Sequence, residues 1–175
     1  MTVVTRNDPG HDLTAWLAAA TPGLVLMLCV VIGRLPLGVP HLGSVAPLLP
    51  LAAVFFWSVR RPELMTPTMV FLAGLVDDVL GGTPLGLGAL VLLLVRWLVV
   101  SQRRVFLGKP FALMWWGFAI VAMAAVTMAW LVGGVARGAL IPAGSIAVQL
   151  ALTMIAFPAV VWVFGRIDHL ATRAR

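Results

Sequence analysis

The chain has 175 residues, 62% of them hydrophobic and 10% charged, with a mean hydropathy of +1.08. A soluble domain is about 45–50% apolar and about 25% charged. This composition therefore excludes an aqueous enzyme, a disordered tail and a disulfide scaffold, and it predicts an integral membrane protein with no second, soluble domain. The formal net charge of +6 is that of many nucleic-acid binders. Here, though, the basic residues sit in small groups between apolar blocks, where they orient a membrane protein, so no nucleic-acid partner is expected.

Six apolar runs follow one another, at about 14–33, 42–59, 66–82, 85–102, 111–133 and 143–164. Each is near the roughly 20 residues that a spanning helix needs. Their continuous apolar character excludes a membrane β-barrel, in which residues alternate. Residues 1–13 mix Arg6, Asp8 and Asp12, and the small residues Ala18–Ala20 open the first run instead of closing it. This is not the pattern of a cleavable signal, so the first run is expected to stay as an anchor. It holds Cys29, the single cysteine, read as a small buried hydrophobe. Arg34 ends the run and the loop Leu35–His41 follows. Pro47 and Pro50 interrupt the second run and predict a kink or a late helix start.

Arg60-Arg61-Pro62-Glu63-Leu64 then predicts a tight turn, with Pro62 stopping one helix and opening the next, and Glu63 in the new helix's first turn. The third and fourth runs are joined by Gly81-Gly82-Thr83-Pro84-Leu85-Gly86-Leu87-Gly88, a turn by composition. The last two runs carry small residues at four-residue spacing, Ala125/Ala129 and Ala143/Ala147/Ala151, which favour close helix packing.

With six spans, nine Lys and Arg fall on one side and two (Arg34, Arg137) on the other, with Arg96 inside a span. The positive-inside rule then places both termini in the cytoplasm. Trp16, Trp57, Trp97, Trp115, Trp116 and Trp162 fall near the same side, as an interfacial belt would.

Few residues carry chemistry. Asp77 and Asp78 lie about 24 Å along the helix from Arg61, near the far surface. They read as an ion or proton site, as a polar contact with a partner helix, or as caps of the next helix or groups meeting interfacial water. Arg96 is about 12 Å from being level with them if the hairpin folds near residue 83, which sets Asp78 opposite residue 88. It is therefore read as snorkelling to the cytoplasmic headgroups. Arg60 and Arg61 read as orientation signals or as a lipid-headgroup or partner contact. Gln149 needs a hydrogen-bond partner within its span. The histidines His11, His41 and His169 show no ligand spacing, and no catalytic motif is present, so neither enzyme activity, a metal nor a cofactor is expected.

The run Phe55-Phe56-Trp57-Ser58-Val59-Arg60-Arg61-Pro62-Glu63-Leu64, followed by Ala73-Gly74-Leu75-Val76-Asp77-Asp78-Val79-Leu80-Gly81-Gly82-Thr83-Pro84-Leu85-Gly86, resembles the rod shape-determining protein MreD family. The family pattern G-L-x-x-D-x-x-x-G-x-P-L-G is met by Gly74, Leu75, Asp78, Gly82, Pro84, Leu85 and Gly86. The resemblance implies a non-catalytic inner-membrane component of the bacterial wall-elongation complex. Its implied partners are an MreC-like bitopic membrane protein and, through the complex, the MreB filament, RodA and a class B penicillin-binding protein. It also implies a single six-helix domain like the substrate-binding subunit of energy-coupling-factor transporters. On this view Arg60, Arg61, Pro62, Gly74, Asp77, Asp78, Gly82, Pro84 and Gly86 are structural or partner-contact residues. The alternative is a substrate-binding membrane subunit of a vitamin-type transporter, whose polar cavity would draw on Asp77, Asp78, Gln149 and Thr153.

Overall fold

The computed structural model describes residues 9–34, 47–106, 108, 111–138 and 143–173. Six helices of 12 residues or more, α1 (Pro9–Gly33), α2 (Leu49–Arg60), α3 (Pro67–Gly81), α4 (Leu87–Ser101), α6 (Phe111–Arg137) and α7 (Ala143–Arg173), are accompanied by a single-turn α5 (Arg103–Phe106) between α4 and α6. Among the described residues there is no strand. The expected loop Leu35–His41, with Arg6, Asp8, Lys109 and Arg175, lies outside the described residues, as do the side chains of His11, Trp16 and Arg137.

Helix lengths differ from the apolar runs, for local reasons. α2 starts only at Leu49, with Pro50 in its first turn, because neither Pro47 nor Pro50 can donate to a preceding carbonyl. At 1.5 Å per residue, its 12 residues extend about 18 Å. α3 does not open at Pro62. Residues 61–66 form the turn, with Leu64 and Met65 N–H donating to the Arg61 carbonyl. Thr66 caps the new helix by accepting from Met69 N–H at 3.4 Å, and Pro67 takes the first position, where its missing N–H costs nothing. Glu63 is thus an exposed turn residue and not part of a helix first turn. α7 runs past the expected end near residue 164 to Arg173.

α2 is the axis of the bundle. Every residue from Pro50 to Val59 is buried, and α1, α4, α6 and α7 all touch this helix. Its aromatic residues organise the core. Phe118 and Phe157 stack at 3.9 Å, and Phe55 presents an edge to both, at 5.3 and 5.8 Å. Trp57 is 1% exposed and packs against Phe56 and Phe164, so it belongs to the core and not to an interfacial belt. Its indole nitrogen and the Ser58 hydroxyl are buried without a hydrogen-bond partner among the described residues. Cys29 is buried in the same core.

The outside of the bundle is apolar. Ile120, Val135 and Ile155 are exposed, as are Trp97, Trp116 and Trp162. Among the described residues, two helices, over Phe111–Ala136 and Gly144–His169, are long and apolar enough to cross a membrane, and the second is largely exposed. Ala147 and Ala151 are exposed, so this stripe does not serve packing within the bundle, whereas Ala125 and Ala129 face inward.

Candidate functional site

The turn between α3 and α4 is built around Asp78, which is 2% exposed. α4 opens at Gly86, a residue with no side chain to cap the helix's free N–H groups. Asp78 supplies the cap from the neighbouring helix. Its Oδ2 accepts from the N–H of Gly86 at 2.9 Å, Gly88 at 3.0 Å and Ala89 at 3.4 Å. Its Oδ1 accepts from Gly88 N–H at 2.8 Å and from the Thr83 hydroxyl at 2.7 Å. The carboxylate thus sits at the positive end of the α4 dipole with its acceptor sites filled, which is why it tolerates burial.

The glycines of this segment each meet a distinct demand. Gly82 (φ 61°) ends α3 and Gly86 (φ 92°) begins α4 in the left-handed region, which a Cβ disfavours. A Cβ on Gly74 would collide with the Ala89 backbone, so that residue sets how closely α3 and α4 approach. A Cβ on Gly88 would sit 2.5 Å from Asp78 Oδ1 and push the carboxylate out of its cradle. Pro84 is half-buried, and its carbonyl accepts from Leu87 N–H at 3.1 Å to close the turn.

Asp77, one residue earlier, points another way. Its Oδ1 accepts from Arg34 Nε at 2.8 Å and lies 2.8 Å from Nη2, which also donates to the Asp77 carbonyl at 2.9 Å. The Arg34 guanidinium lies across Gly81, in space that any side chain there would fill. This pair ties the end of α1 to the end of α3.

Arg96 does not reach either acid. Its Nε donates to the Met65 carbonyl at the opposite end of the bundle, so the side chain turns toward the end expected for a snorkelling arginine but is held by protein. At that end Arg61 Nε meets Asp168 Oδ1 at 2.9 Å, and Arg60 Nη1 lies 3.7 Å from Oδ2. Arg60 also rests over the Phe56 ring, Arg103 Nε donates to the Val59 carbonyl at 3.1 Å, and Pro62 is half-buried in the turn. Asp168 was not anticipated from the sequence. The available signal was an acid alone in a basic terminal segment, one helical extension beyond the expected end of the last run.

The structure brings Gly74, Asp77, Asp78, Gly82, Pro84 and Gly86 together at one end of the α3–α4 hairpin and Arg60, Arg61 and Pro62 at the other. Between the first group and the start of α2 lies a cavity of about 260 Å³. Arg34, Asp77, Asp78, Thr83, Trp130 and Gln149 contribute to its lining, to which every helix except α5 gives at least one residue. Thr153 is not part of it. Its hydroxyl accepts from Leu48 N–H at 3.0 Å and donates to the Gln149 carbonyl at 2.7 Å, joining α2 to α7. Among the described residues, no group of three or more His, Cys, Asp or Glu side chains could hold a metal ion. Compared with known proteins, the chain matches no family model, no curated protein and no solved structure.

Proposed function

We propose that this protein is set in the bacterial inner membrane as a six-helix bundle, both termini cytoplasmic, and serves as a non-catalytic component of the wall-elongation complex. The membrane part is supported by the apolar exterior and by two helices of spanning length and composition. Charge supports the orientation, because Arg60, Arg61, Arg103, Arg104 and Arg166 cluster toward the end opposite the Asp77–Asp78 turn. In this arrangement the short α2 is shielded from lipid by its neighbours, and the apolar outer faces of α6 and α7 meet acyl chains.

The observation that carries the functional part is the Asp78 cradle. Four residues of the segment that resembles the MreD family meet demands set by the hairpin itself. Gly74 permits close approach, Asp78 caps α4, and Gly82 and Gly86 take left-handed conformations. Such a hairpin is a rigid surface element, suited to presenting a fixed face to an MreC-like bitopic protein and, through it, to RodA and a class B penicillin-binding protein beside the MreB filament.

The test is affinity purification of the tagged protein in mild detergent with mass spectrometry of what accompanies it, together with depletion in a rod-shaped host. Co-recovery of an MreC-like protein and rounding of depleted cells are expected. Normal rods after clean loss would overturn the reading. The cavity beside Asp77 and Gln149 favours a second reading, a carrier subunit of a vitamin-type transporter, and recovery of a transporter ATPase pair would establish that one instead.

A further inference from the structure

Arg96 is the one base well inside an apolar run, and the protein gives its side chain a single bond, from Nε to the Met65 carbonyl. The ion pairs of the described residues, Arg34 with Asp77 and both Arg60 and Arg61 with Asp168, do not include it. A guanidinium is planar, so with Nε engaged its tip still carries Nη1 and Nη2 side by side. Neither has a partner among the described residues. Two parallel N–H groups at that spacing match the two unesterified oxygens of a phosphodiester. The geometry points to a binding site at Arg96 for the phosphate of one anionic phospholipid of the cytoplasmic leaflet.

Depth, surface and charge agree with this ligand. The Arg96 backbone lies about 7.5 Å below the end of α4 at Ser101, and its side chain is anchored to the turn over residues 61–66, at headgroup level. An ordinary snorkelling arginine samples many rotamers, whereas this one is held at Nε and loses less freedom on binding. Trp97, next in sequence, is 67% exposed, as an interfacial tryptophan is. Leu90 and Leu94 on α4 and Phe71 and Leu72 on α3 are exposed as well, giving acyl chains an apolar surface beneath the phosphate. At this end the described side chains include Arg60, Arg61, Arg96, Arg103, Arg104 and Arg166 against only Glu63 and Asp168. A zwitterionic headgroup would bring its own cation into that field, so a net anionic lipid is favoured. The inference rests on the membrane setting proposed above and not on the wall-elongation role.

The test is native mass spectrometry of the full-length protein released from detergent micelles, titrated with phosphatidylglycerol, phosphatidylcholine and inorganic phosphate. One phosphatidylglycerol is expected to stay bound, at least about tenfold tighter than phosphatidylcholine. Arg96→Gln should weaken it at least about tenfold, and Arg96→Lys, which keeps the charge and loses the paired donors, should fall between. Arg104→Gln removes an equal charge from the same end and should weaken it far less. Equal retention of the two lipids, inorganic phosphate displacing the lipid at equal concentration, or equal losses for the Arg104 and Arg96 variants would each overturn the proposal. If neither Arg96 variant folds, tryptophan quenching by phosphatidylglycerol brominated on its acyl chains decides. It should exceed quenching by brominated phosphatidylcholine, and the excess should vanish in Trp97→Phe, which breaks no hydrogen bond of the described residues. No excess, or an excess that survives the substitution, overturns the proposal. Protein recovered in the soluble fraction of cells would overturn the membrane setting and this inference with it, whereas failure of the lipid tests in membrane-borne protein overturns this inference alone.

Discussion

Asp78→Ala tests the account of the α3–α4 hairpin most directly. The substitution leaves the N–H groups of Gly86, Gly88 and Ala89 without their acceptor, in a site that is 2% exposed, while the Thr83 hydroxyl keeps only its longer bond to the Asp78 carbonyl. A buried donor left unmade costs about 1–3 kcal/mol, and loss of a helix cap about 0.5–2 kcal/mol. These overlap, since the cap is made of the same bonds, and water can reach some of the groups from the cavity. A loss of about 3–5 kcal/mol is therefore expected. Asp77→Ala breaks a partly exposed pair whose arginine can turn to solvent, and it should cost about 1 kcal/mol or less. Asp78→Asn should fall between them, keeping one acceptor oxygen while setting an amide N–H₂ against backbone donors. The assay is reversible unfolding in mixed detergent micelles, followed by tryptophan fluorescence for all three variants. Equal losses for Asp78→Ala and Asp77→Ala would refute the capping argument. If the proposed wall-elongation role holds, the same ranking is expected for co-purification of an MreC-like partner, because that partner would read the hairpin's shape.

Gly74→Leu should destabilise by at least about 1–3 kcal/mol in the same unfolding assay, since even a Cβ meets the Ala89 backbone; a neutral result would mean that the helices can separate freely. Asp168→Asn removes the charge shared by Arg60 and Arg61 and should cost about 1.5–3 kcal/mol. Hydrogen exchange should then rise within residues 165–173 while the α3–α4 hairpin is unchanged. Cys29, 7% exposed in the folded protein, should resist N-ethylmaleimide until the protein is unfolded in dodecyl sulfate.

Helix identity was legible in the sequence because apolar runs and turn residues act locally. The late start of α2 followed from Pro47 and Pro50, and the placement of Asp78 opposite residue 88 followed from counting back from the turn. What stayed hidden depends on partners distant in sequence. The Arg34–Asp77 pair joins residues 43 apart, and nothing near either one announces the other. Pro62 and Pro67 both suit a helix start, and only the hydroxyl of Thr66 accepting from Met69 N–H distinguishes the second. Trp57 reads as interfacial by its position near two arginines, yet it is enclosed because the helix that carries it is surrounded on every side.

The enclosure of α2 has a consequence for how the chain is made. Its 12 residues are too few to cross a hydrocarbon core of about 30 Å unaided. During synthesis it emerges before α4, α6 and α7, which form most of its walls. Its seat is therefore completed only when the last helix arrives and Asp168 engages Arg60 and Arg61. If the bundle sits in a membrane as proposed, chains halted before residue 143 should leave α2 without the wall that α7 supplies, so quality control of this protein would be exercised on its second helix while its last is still on the ribosome.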